Sequence, residues 1–244
     1  KDEYFETVDC LLKDSYYKIG ECPSQVVVYD LRGGVKQMDT RVVEGKKGGR
    51  YYIDLYNDVS VSHFTYINKE DLSDYIVEID SLEGKIQTLD PVAELPVVLT
   101  HSIIPEQLFT LADYYVALYY INKMKKTDLK KMAYIFKNND VTRAGLSSLN
   151  MVSSLHKKLY GFSPEKIDYL LEELICNSKT PEIPDNFSLP YRHDVSTLVS
   201  IMAERVTNNV GARSMTKQAL FMANPRLMKW VIFNLIFRRK RETY

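Results

Sequence analysis

The chain has 244 residues, of which 45% are hydrophobic and 26% charged; that is long enough to bury a sizeable core without staples and too apolar for general disorder. Three scattered cysteines (Cys10, Cys22, Cys176), no C-x-x-C and four dispersed histidines argue against a disulfide framework and a zinc motif. The expected setting is cytoplasmic or otherwise intracellular and reducing, with no metal and no cofactor. The formal net charge is zero, which excludes a uniformly basic binder.

The chain starts at Lys1, which fits a processed product or a piece of something longer, and its front lacks a signal-peptide pattern. Residues 1–14 read as a short acidic helix, with Val8, Leu11 and Leu12 at helical spacing. From Tyr16 to Leu89 short runs rich in β-branched and aromatic residues follow. They are "SQVVVYDL", "VKQMDTRVV", "RYYIDLY", "VSVSHFTYI", "YIVEI" and "KIQTL", separated by turn residues such as "RGG" and "GKKGG". In "RYYIDLY" the residues Tyr51, Ile53 and Leu55 form one apolar face. "NKEDLSD" is expected to make a helical turn.

The expected fold class is α+β: an antiparallel β meander or small barrel over residues 1–90, a Pro-rich linker over 91–104, and an all-helical module over 105–244. Within that module helices are expected near 105–125, 128–137 and 143–159. The first carries Leu108, Leu111, Tyr115 and Leu118 on one stripe, and Gly161 closes the third. Ser163 and Pro164 start another, Asp194 caps the next, and Ser214 and Asn224–Pro225 start the last two. Trp230–Phe237 is the longest apolar run and far too short for a transmembrane span, which needs about 20 residues.

Charge is distributed unevenly. Residues 70–94 hold eight Asp or Glu and one Lys, whereas residues 205–241 hold nine Lys or Arg and no acid. The candidate nucleic-acid-binding residues are therefore Arg213, Lys217, Arg226, Lys229, Arg238, Arg239, Lys240 and Arg241, joined by Lys46, Lys47 and Arg50 on a hairpin tip. "GKKGG" is not a phosphate loop, because no Ser or Thr follows its Lys at a helix start. Cations at a helix end also complement its dipole, and an apolar segment beside them can rest on an anionic membrane surface.

Two further arrangements bear on chemistry. The helices over 128–176 have the order of a helix-turn-helix unit, with Arg143, Ser147, Asn150, Ser154 and Lys157 as an outer face. "YRHD" sets His193 beside Asp194, half of a general-base pair, although Asp194 is more simply a helix cap. No catalytic motif is present, so no catalytic residue is assigned.

The preferred expectation is a non-catalytic, nucleic-acid-associated component of an intracellular or viral replication or transcription assembly, with DNA or RNA and protein subunits as partners. Abundant Lys, Asn, Ile and Tyr fit an AT-rich genome, as in a phage, a eukaryotic virus or many bacteria. The alternative is an interaction or scaffold subunit that docks through a Tyr-rich β face and an apolar C-terminal helix.

Overall fold

A computed structural model describes residues 2–14, 16–22, 24–30, 52–81, 84–175, 187–223 and 225. In chain order they form α1 (Asp2–Lys13), β1 (Tyr16–Cys22), β2 (Gln25–Asp30), β3 (Tyr52–Tyr56), β4 (Val59–Val61) and β5 (Phe64–Ile67). A 3-10 helix (Lys69–Tyr75) precedes β6 (Ile76–Ser81), β7 (Gly84–Leu89), α2 (Pro91–Ile103), β8 (Leu108–Phe109), α3 (Leu111–Lys123) and α4 (Lys126–Asn138). Then come α5 (Thr142–Tyr160), α6 (Glu165–Leu174), β9 (Tyr191–Arg192), α7 (Val195–Arg205) and α8 (Asn209–Met222). The protein is α+β, with its small sheets mostly ahead of its helices. Those sheets stay separate among the described residues, in the orders β1-β2-β3, β4-β5, β6-β7 and β8-β9, so they do not join into one barrel. The chain divides into two compact units, residues 1–65 with 214–244, and residues 66–213. That division does not fall at residue 90.

In the first unit, β2 is the central strand of an antiparallel meander. Val26 lies opposite Leu55 and Val28 opposite Ile53, so the β2–β3 part of one face is apolar, whereas β1 sets Glu21 and Lys18 opposite the same two valines. Val8 of α1 packs onto Val26 and Val28, with Tyr4, Leu11 and Tyr16 around them. Full burial of each such side chain stabilises by roughly 1.5–3 kcal/mol. The segment 35–43, expected as a strand, lies outside the described residues.

The second unit is built around α5, which packs against α2, α3, α4, α6 and α7. Its Leu146, Leu149 and Val152 are fully buried, as are Leu95, Leu99 and Ile103 of α2. Gly145 brings α5 close to α4, since a Cβ there would sit 3.0 Å from the Phe136 ring. Gly161 ends α5 in the left-handed conformation at φ 84° and donates its N–H to the Lys157 carbonyl.

Several local expectations need correction. Ser214, expected to start a helix, lies inside α8 (Asn209–Met222). The linker of 91–104 is largely the helix α2: Asp90 caps it by accepting the Val92 N–H at 2.9 Å, and Pro91 occupies its first turn, where no N–H is missed. The apolar stripe of α3 is rotated. Tyr114, Ala117 and Ile121 are buried, whereas Leu111 and Tyr115 are exposed. Pro164, not Ser163, is the cap residue of α6; Ser163 instead donates to Asp168.

Candidate functional site

The sequence of α4 dictates two unlike faces. Leu129, Met132, Ala133 and Phe136 recur at helical spacing and are buried against the second unit's core. The outward arc must then carry Lys130, Lys131, Tyr134 and Lys137, and all four are exposed. Lys123, Lys125 and Lys126, at the joint between α3 and α4, are exposed as well. Residues 123–137 thus hold six lysines and one acid, Asp128. The Asp128 carboxylate accepts the Lys125 N–H at 2.9 Å, so it is engaged in the helix start.

Aromatic rings are interleaved with these cations. Tyr134 is 61% exposed and Tyr119 58% exposed. The Lys123 ammonium lies 3.8 Å from the centre of the Tyr119 ring and donates to its hydroxyl at 2.5 Å. Lys126 sits over the Tyr169 ring at 5.4 Å. Tyr119 in turn meets Tyr120 edge to face, with ring centres 5.5 Å apart.

Beside this face lies an open cleft of about 510 Å3, whose walls include Tyr75, Tyr119, Tyr120, Lys123 and Lys131. Its apolar lining comes from Val77, Pro91, Val92 and Met124. Burial, then the neighbouring Tyr134, Asp74 and Asp90, pushes the Tyr75 phenol above its ordinary range. Tyr120 donates its hydroxyl to Glu94 at 3.0 Å, and its pKa is also raised, first by burial and then by that bond. Both phenols are therefore neutral at neutral pH. Of the three carboxylates lining the cleft, Asp90 and Asp128 cap helices, which leaves Asp74 exposed at the rim.

The residues selected from sequence fare differently. Arg213 and Lys217 are exposed, four residues apart on α8. Arg226, Lys229, Arg238, Arg239, Lys240, Arg241, Lys46, Lys47 and Arg50 lie outside the described residues. Arg205, the first cation of the acid-free segment, is not available to a ligand. It is fully buried and donates to the Asn139 carbonyl at 3.0 Å and to Asn68 Oδ1 at 2.7 Å.

The helix expected to read a groove is the centre of the second unit. Ser147 is buried in α5, and the Arg143 N–H is taken by Glu204 at 2.8 Å. A helix covered by five others cannot enter a major groove. Of the two roles weighed for Asp194, the structure displays the cap. Asp194 caps α7 by accepting the Thr197 N–H at 2.7 Å and the Ser196 hydroxyl at 2.8 Å. The His193 ring is buried, and its Nε2 has no hydrogen-bond partner.

The lysines of 123–137 are the candidate residues that the sequence reading passes over. Six lysines against one acid was a visible signal, but their alignment on one face emerges only once the buried stripe of α4 is known. Among the described residues no group of His, Cys, Asp or Glu is placed to hold a metal ion, and no helix is long and apolar enough to cross a membrane. No known protein family, curated protein or solved structure matches this chain.

Proposed function

We propose that the protein is a non-catalytic, nucleic-acid-associated component of an intracellular or viral replication or transcription assembly, which grips the phosphate backbone. The observation that carries this reading is the exposed lysine face of 123–137, interleaved with exposed Tyr119 and Tyr134. Lysines contact phosphates without regard to sequence, and tyrosines add stacking surface. Exposed Arg213 and Lys217 extend the supply of cations, and the basic residues of 226–241 belong to the same proposal.

Salt titration tests the reading. A protein that neutralises six phosphates loses roughly a thousandfold in affinity between 50 and 200 mM salt. Replacing Lys130, Lys131 and Lys137 together by Gln reduces the slope of log affinity against log salt by about 2 to 3. Fluorescence anisotropy with a labelled 20-mer measures both slopes. An unchanged slope, or no binding at 50 mM salt, contradicts the proposal. The alternative of a docking or scaffold subunit draws on exposed Tyr17 and Tyr56 of the first unit. Stoichiometric capture of a protein partner with little salt dependence favours it.

A further inference from the structure

The cleft beside the lysine face has a shape and lining that phosphate contacts alone do not require. It is about 510 Å3 in volume, within the size range of sites that hold small ligands. Three tyrosines line it together with two lysines and three aspartates, and Val77, Pro91, Val92 and Met124 supply the apolar part of the lining. Lys131 belongs both to the cleft and to the outward arc of α4, so the cleft and the cationic face are continuous. A chain of phosphates on that arc therefore passes the cleft mouth.

An aromatic ring next to an ammonium suits one kind of group above others: a flat heterocycle tethered to a phosphate. Tyr119 has Lys123 over one side of its ring and remains 58% exposed. Tyr75 is half-buried, so its ring is held in place, and its phenol is neutral at neutral pH. Such rings stack on any base without reading its identity. Asp90 and Asp128 accept backbone N–H groups at the starts of α2 and α4, where the positive ends of the helix dipoles offset part of their charge.

We infer that the cleft bounded by Tyr75, Tyr119, Lys123 and Lys131 receives an unpaired nucleobase, so that the strand bound along α4 is single-stranded. This rests on the phosphate-binding reading above and adds to it. A duplex keeps its bases stacked inside and has nothing to place in the cleft. Stacking of a base on a tyrosine ring gives a single strand an advantage that duplex and bare backbone both lack.

The test compares three labelled DNA probes on the full chain at 50 mM salt: a 12-mer single strand, the same sequence as a blunt duplex, and a 12-unit abasic deoxyribose-phosphate chain. The base-bearing strand is expected to bind about tenfold or more tighter than the abasic chain, which carries the same phosphates. It is also expected to bind tighter than the duplex. Tyr75→Ala should cost about tenfold for the base-bearing strand only, with the salt slope unchanged. The abasic comparison needs no variant, so a poorly folded Tyr75→Ala protein does not remove the test. Equal binding of strand and abasic chain, or tighter binding of duplex, overturns the base-in-cleft inference while leaving phosphate binding intact. No binding of any of the three probes overturns both.

Discussion

Between β9 and α7 the His193 imidazole is 6% exposed, with Nε2 unpartnered and the Tyr191 ring edge-on at 5.3 Å. Burial pushes its pKa down to about 4, against the smaller opposing pull of Asp194 and Asp113. The unfolded chain takes up that proton near pH 6.5 and the folded chain only near 4. Stability is therefore lost as pH falls from 6.5 to 4, by about 3 kcal/mol in total, and is unaffected by this group above 6.5. Urea unfolding of the wild type and His193→Phe at pH 7 and pH 4 checks this. The wild type should lose more stability than the variant across that interval; parallel losses contradict it. From sequence, "YRHD" offers a cap and a half-catalytic pair, and the structure shows the cap bonds of Asp194 and the burial of the ring. Arg205 makes the same point for charge. It reads as part of a free cationic segment until its contacts with Asn139 and Asn68 are seen.

At the scale of elements, the first turn of α8 depends on one glycine. A Cβ on Gly211 would lie 1.8 Å from the Arg205 carbonyl oxygen, a backbone atom that cannot rotate away. Gly211→Ala should therefore displace the start of α8 from the end of α7 and cost about 2 kcal/mol or more, measured by denaturant midpoint. A midpoint within error of the wild type contradicts that packing. Local propensity shows many of these elements: α1, β2, β3, the 3-10 helix, β6, β7, α5 and α7 lie where composition and turn residues put them. It hides α2, because Pro91 and Pro96 resemble breakers when a cap and a buried setting accommodate them. It misphases α3, where Leu and Tyr occur on both sides and only tertiary contact selects Tyr114, Ala117 and Ile121 as the inner ones. The α4 lysine face is hidden for a related reason. Charges spaced through a helix do not read as a surface until the buried side is known.

For the whole molecule, zero net charge conceals regional excess. The acid-rich stretch 70–94 and the lysine face of 123–137 belong to the same compact unit and meet at the cleft, where Asp74 and Lys131 line one opening. A neutral protein can still hold a polyanion if its cations share one accessible face. The sequence shows the regional excess near the C-terminus plainly. It does not show that residues 1–65 and 214–244 fall into one compact unit, because that grouping depends on contacts between segments far apart in the chain.

Lysine acylation of the full chain, with and without a saturating single-stranded oligonucleotide, reads the proposed binding face directly. The account predicts that Lys123, Lys126, Lys130, Lys131 and Lys137 lose reactivity together when the strand is bound. Unchanged modification of all five under saturation would contradict it.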